Sequence, residues 1–170
     1  MRNCKWILLA EDDTSTAELM KLSLGAKAAS CEIVIAQDGS TALDCIHHRG
    51  EFLSRDDSNP MFVLLDLKMP KVDGLEVLRE IKSDERLKNI PVVMFTSSRE
   101  LADIAHSYQL GVNAYVVKPV DFQKFNEALK CIWEFWAMTN EPPQATPPVA
   151  AEKDAPAEDP VPPPQLQKKA

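Results

Sequence analysis

No stretch of this chain approaches the roughly 18 consecutive apolar residues that a membrane span requires. The apolar run nearest the start, Trp6 to Ala10, is only five residues long, and Glu11-Asp12-Asp13 follow at once. That is too short for a signal peptide. No membrane partner is expected, and the protein is placed in the cytoplasm. A basic excess is also missing. The 170 residues carry 26 acids against 19 Lys plus Arg, for a net charge of −7. Nucleic acid is therefore not an expected partner, because phosphate backbones are bound by basic patches. There is no CxxC, and no cysteine stands at ligand spacing from a histidine. Cys4, Cys31, Cys45 and Cys131 read as small core or surface residues in a reducing cytosol. His47 and His48 are adjacent, so they point to different sides of a helix, and His106 stands alone. None is expected to do chemistry.

The last part of the chain lacks the means to build a core. The segment from Asn140 holds 9 of the 13 prolines and almost no large apolar side chains. It cannot bury enough surface to offset its ordering entropy. Residues 140–170 are expected to be a disordered, Pro/Ala-rich tail, partly polyproline II. Residues 1–139 are left as a single domain.

Within that domain, strand and helix signals alternate. Trp6–Ala10 is a short apolar strand, and a helix from Thr14 to about Lys27 follows. Asp13 or Thr14 can cap it. Cys31–Ala36 is a second strand, rich in β-branched residues. Asp38-Gly39 turns the chain into a helix over Ser40–His48. Gly50–Pro60 is a polar connection, long for a compact domain. It either extends the helix or forms a surface elaboration. Met61–Asp66 is a third strand, five apolar residues running straight into a carboxylate. Absence of alternation suits a strand buried on both faces. A helix from Gly74 to Ser83, a strand Val92–Thr96 and a helix Arg99–Gln109 follow. The strand Asn113–Val117 and a helix from Phe122 to about Ala137 complete the series. In the last helix, Phe122, Phe125, Leu129, Ile132 and Trp136 can face the sheet, with Trp133 and Phe135 pointing elsewhere.

Five strand–helix repeats predict an α/β, doubly wound parallel sheet with helices on both faces and right-handed crossovers. Five strands suit the flavodoxin-like (βα)5 order 2-1-3-4-5. Ligands then bind at the carboxyl edge of the strands. The strand ends deliver Glu11, Asp12 and Asp13, then Asp66, then Thr96, Ser97 and Ser98, and finally Lys118. Gathered carboxylates repel unless a cation relieves them. Hard oxygen ligands favour Mg²⁺. A hydroxyl and an ammonium beside that cation suit a phosphoryl group. A carboxylate attacking phosphorus gives an aspartyl phosphate.

The segments ILLAEDD at 7–13, LLDLKMPKVDG at 64–74, PVVMFTSS at 91–98 and AYVVKPVD at 114–121 resemble the receiver domains of two-component response regulators. The spacings agree: Thr96 follows Asp66 by 30 residues and Lys118 follows Thr96 by 22. The resemblance implies that Asp66 is the phosphorylation site. It implies that Glu11, Asp12, Asp66 and the backbone carbonyl of Lys68 bind Mg²⁺. Thr96 would hydrogen-bond the phosphoryl group and Lys118 would pair with it. Tyr115 would turn inward as Thr96 moves, and Lys118-Pro119 would be a cis bond. Asp13, with no ligand role, is left to cap the helix. Lys68 and Ser98, each two residues past a site residue, stand where this family tunes phosphate lifetime.

The implied function is that of a phosphoacceptor in a two-component phosphorelay rather than an enzyme, assisting its own phosphotransfer and slow dephosphorylation. Only the proline-rich segment follows the last helix, which suggests a single-domain regulator. The run Ser107 to Asn113 and the pair Phe135-Trp136 are similar to small regulators paired with bacterial phytochrome kinases, as is the lengthened connection before the third strand. A sensor histidine kinase, a bacteriophytochrome in this reading, is thus the implied partner. Exposed aromatics on the last helix suggest a homodimer through the fourth helix, fifth strand and fifth helix. The alternative is a constitutive interaction module that keeps the fold without depending on phosphorylation. A Mg²⁺-dependent phosphatase would need a general acid near Asp66, where Lys68 stands instead.

Overall fold

The computed structural model describes residues 6–25, 31–55 and 58–141. The expected tail lies outside the described residues beyond Glu141. The sheet has five parallel strands: β1 (Trp6–Ala10), β2 (Glu32–Ala36), β3 (Val63–Leu65), β4 (Val92–Thr96) and β5 (Ala114–Val117). Their order is β2-β1-β3-β4-β5, the doubly wound order the strand–helix alternation predicts. Between them run α1 (Thr14–Gly25), α2 (Gly39–Ile46), α3 (Gly74–Ser83) and α4 (Leu101–Gln109), and α5 (Phe122–Trp133) follows.

Every residue of β1 and β4 is buried, as is all of the shorter β3. Continuous apolar runs suit such strands because both sheet faces are covered. Successive side chains point to opposite faces. Trp6, Leu8 and Ala10 accordingly join a core with residues of α2 and α3. Ile7 and Leu9 join a second core with residues of α1 and α5. The site must therefore lie at the strand ends, since both faces are filled.

In α5 the expected face is met at Phe125, Leu129, Ile132 and Trp136 and departs at Phe122 and Trp133. In α5, Phe125, Leu129, Ile132 and Trp133 are buried, whereas Phe122 is 60% exposed. Phe122 is the first residue of the helix. Trp133 lies edge-on to Phe62, with ring centroids 6.4 Å apart. A π-helical turn, Glu134–Thr139, continues the helix and leaves Phe135 and Met138 exposed. In α4 only Ser107 is buried. The apolar residues Leu101, Ala105 and Tyr108 are exposed and Ile104 is half-buried, with Leu101 82% exposed.

The long connection before β3 is a surface elaboration. It opens with a 3₁₀ turn, Gly50–Phe52, and folds back over the start of the sheet. Arg55 lies 4.6 Å above the Trp6 ring and makes two hydrogen bonds to Glu32. Trp6 Nε1 donates to the Ser58 carbonyl at 2.9 Å. Two expectations need correction. Cys31 is disulfide-bonded, while Cys45 and Cys131 are free thiols. The register Trp6↔Glu32 sets the starts of β1 and β2 side by side, a juxtaposition that cysteine spacing does not reveal. Lys118-Pro119 is trans, for no peptide bond among the described residues is cis. Trans is the lower-energy isomer, and with it the Lys118 side chain already reaches the carboxylates described below.

Candidate functional site

Strand register builds the site. Ala10 pairs with Leu65, so the next residue on each strand, Glu11 and Asp66, emerges at the same level of the sheet edge. Asp66 N donates to the Ala10 carbonyl at 2.9 Å, and Glu11 N to the Ala36 carbonyl at 2.9 Å. Both backbones are thus tied into the sheet before their side chains leave it. On the other side Thr96 pairs with Val117, which puts Lys118 one step further on. Lys118 N donates to the Thr96 carbonyl at 2.8 Å.

These side chains converge. Ligand oxygens of Glu11, Asp12 and Asp66 lie within 4.8 Å of one another. Lys118 Nζ donates to Glu11 Oε2 at 2.5 Å and to Asp66 Oδ2 at 2.6 Å. Leu67 N donates to the other Asp66 oxygen at 2.6 Å. Burial raises the Glu11 carboxyl above its ordinary value, although the Lys118 bond opposes this. Burial works against the Lys118 charge as well, but its bonds to Asp66 and Glu11 prevail and lift its pKa. Three carboxylates and one ammonium leave the cluster doubly negative. All-oxygen donors, one of them the exposed Asp12, suit a hard divalent cation that keeps part of its water shell.

Asp13 stands apart from this cluster. It caps α1, accepting from Thr16 N at 2.7 Å. Lys68 lies on the connection from β3 to α3, with its side chain exposed. That connection passes so close to the next helix that a Cβ on Gly74 would lie 2.2 Å from the Asp66 carbonyl oxygen. Only glycine fits there.

Thr96 is 1% exposed, and its hydroxyl accepts from Ser98 N at 3.3 Å. Ser98 is a junction whose contacts the sequence does not reveal. Its hydroxyl donates to Asp103 Oδ2 at 2.6 Å and accepts from Glu100 N at 3.3 Å. Its carbonyl accepts from the Tyr115 hydroxyl at 3.3 Å. Tyr115 is partly buried against the α2–α3 core, folded onto the β4–α4 connection. Thr96, Tyr115 and the start of α4 are thereby linked through one residue. A second missed residue is Asp38, read only as part of a turn. It caps α2 through Thr41 N at 2.7 Å and also accepts from Lys71 Nζ at 2.6 Å. An Asp three residues ahead of Thr41 at a helix start is a capping signature. Nothing in the sequence announces Lys71, 33 residues away.

Known proteins carry the same pattern. The family described as the response regulator receiver domain matches residues 7–130. Response regulator Rcp1 from Synechocystis is 37% identical over 79% of this chain and 90% of its own length. Its Mn²⁺-bound form superposes with a TM-score of 0.75, covering 82% of this chain and 99% of that one. The phosphorylated cyanobacterial phytochrome response regulator RcpA is 40% identical, with a TM-score of 0.77 over 82% of this chain and 98% of its own. The bacteriophytochrome response regulator RtBRR is 50% identical, with a TM-score of 0.66 over 82% of this chain and 84% of its own.

Proposed function

The chain belongs to the response regulator receiver family of two-component signalling, and we propose that Asp66 is its phosphoacceptor. The observation that carries this is the meeting of Glu11, Asp12 and Asp66 within 4.8 Å, with Lys118 bridging two of them. Mg²⁺ is the proposed cation, held by Glu11, Asp12, Asp66 and the Lys68 carbonyl. Bound there, it would neutralise charge on the phosphoryl oxygens.

The protein's own groups do the rest. An Asp66 carboxylate oxygen attacks phosphorus as the donor's P–N bond breaks, and the leaving imidazole regains a proton. An acyl phosphate remains on Asp66. Lys118 is already within hydrogen-bond reach of Asp66 and pairs with the added charge. The Thr96 hydroxyl turns from Ser98 N towards the phosphoryl oxygens. Its departure frees the Ser98 junction, and Tyr115 and the start of α4 readjust with it. The chain is in this reading not an enzyme towards other molecules. It assists its own phosphorylation and slow hydrolysis.

The donor is proposed to be a cytoplasmic histidine kinase of the phytochrome class. Support comes from the likeness to RcpA and RtBRR. The output surface is α4, β5 and α5, where Leu101, Tyr108 and Phe122 are exposed apolar groups. A homodimer through this surface would cover them. Sedimentation of wild type and Tyr108→Arg tests that part, with a monomeric wild type at tens of micromolar refuting it.

Incubation with acetyl phosphate and Mg²⁺, followed by mass spectrometry, tests the acceptor. Wild type should gain one phosphoryl group and Asp66→Asn none. An unshifted wild type, or a shift that persists in Asp66→Asn, refutes the assignment.

A further inference from the structure

The connection from β3 to α3 is held in a strained shape by an ion pair that reaches it from α2. Lys71 has φ +66°, and among the described residues only His48 shares a positive φ without being glycine. Val72 N donates to the Pro70 carbonyl at 2.8 Å, so Lys71 is the centre of a three-residue turn. With positive φ this is the rare, strained form of that turn. Such strain persists only where the surroundings over-determine it.

The surroundings can be named. Lys71 Nζ donates to Asp38 Oδ2 at 2.6 Å. Asp38 is 8% exposed, and its other oxygen is fixed by the α2 cap. The Lys71 bond and the cap hold its carboxyl below the usual range. Next to it, a Cβ on Gly39 would lie 2.0 Å from the Val72 carbonyl oxygen, so the two segments touch backbone to backbone. At its other end the connection is anchored by Asp66 N on the sheet. The segment from Asp66 to Val72 is therefore pinned at both ends, and the Lys68 carbonyl lies between the pins.

We propose that the Asp38–Lys71 ion pair is a positioning device. It holds the strained turn, and through it fixes the backbone of the segment that carries the Lys68 carbonyl beside the carboxylates of Glu11, Asp12 and Asp66. This rests on the reading of that carbonyl as a Mg²⁺ ligand. Two features argue for positioning over bulk stability. The Lys71 ammonium is 65% exposed and screened by water, and the buried Asp38 carboxylate keeps its α2 cap bond when Lys71 is lost, which limits the effect on global stability. The strain sits in the connection to be positioned, not in the core.

The test is a Mg²⁺ titration by calorimetry on the full chain, with thermal unfolding beside it. Lys71→Met removes the pair and keeps the strain. Asp38→Asn removes the charge and keeps an acceptor for the α2 cap. Both should weaken Mg²⁺ binding about tenfold, the lower end of what partners behind a metal ligand contribute. Their unfolding temperatures should stay close to wild type. Lys71→Gly removes the strain along with the pair and should bind Mg²⁺ more tightly than Lys71→Met. Acetyl phosphate labelling of the variants should need more Mg²⁺ but reach the wild-type rate at saturation. Wild-type affinity in Lys71→Met and Asp38→Asn overturns the proposal, as does a loss that only tracks lowered stability. If wild type binds no Mg²⁺, the metal-site reading falls and the proposal with it. If wild type binds Mg²⁺ and is labelled on Asp66 while the variants match it, only the positioning role falls.

Discussion

Replacing Lys118 by methionine tests whether the site is a charge cluster held together by one ammonium. Lys118 Nζ lies 2.5 Å from Glu11 and 2.6 Å from Asp66. The three side chains are 11%, 3% and 11% accessible, so water screens them poorly. Removing one partner of a buried pair costs about 3–5 kcal/mol, because the other charge stays buried. Methionine keeps the apolar volume, so little of that is packing. Glu11 limits the loss. Burial already raises its carboxyl, and without Lys118 it rises further and takes up a proton. An acid whose folded pKa is raised contributes stability that is fully present below its unfolded value, 4.5, and is lost as pH rises through the folded one. The variant should therefore lose about 3 kcal/mol near neutral pH and less at mildly acidic pH. A divalent cation bound by the carboxylates supplies positive charge that the variant lacks, so Mg²⁺ should stabilise the variant more than wild type. Urea unfolding at two pH values, with and without Mg²⁺, measures this. A gap that ignores both pH and Mg²⁺, or no gap at all, refutes the reasoning.

Other perturbations read other parts of the molecule. Ser98→Ala removes the bonds to Asp103 and Glu100 N. It should loosen the first turn of α4 by about 1 kcal/mol, seen as faster amide exchange confined to that helix. Trp133→Ala opens a cavity beside Phe62 and should cost about 3–5 kcal/mol in chemical unfolding. Lys82 donates to the carbonyls of Lys88 and Ile90 and to Asn113 Oδ1, and burial lowers its pKa from 10.5 to about 8. With a depressed folded pKa, its contribution to stability grows as pH rises from about 8 towards 10.5. The stability difference between wild type and Lys82→Met should widen in that direction, and parallel pH profiles would count against it.

The alternation of strands and helices, and with it the order of the sheet, was legible because each buried strand is a short apolar run bounded by turns. Site residues at strand ends were legible for the same reason. Asp66 and Lys118 close apolar segments, and a parallel sheet puts all such ends on one edge. Helix faces were less legible. A stripe such as Leu101, Ile104, Ala105 and Tyr108 signals an apolar face, not whether the sheet reaches it. Periodicity could not see that Phe122 stays exposed or that Trp133 turns inward beside Phe62. The disulfide at Cys31 was missed because it depends on which segments meet in space, and the bond before Pro119 was misread because its cis form was implied by family resemblance and not by local chemistry.

By itself the sequence determined the fold class, the carboxyl edge as the place of chemistry, and the residue types gathered there. These follow from local apolar pattern and from the period of strands and helices. Tertiary structure decided the contacts that cross the chain. Lys118 bridges Glu11 and Asp66 over separations of 107 and 52 residues. Ser98 links Thr96, Tyr115 and Asp103. Asp38 reaches Lys71 at the strained turn beyond Asp66. Hydrogen bonds and ion pairs act over about 3 Å, so only the folded chain shows which residues come within their range.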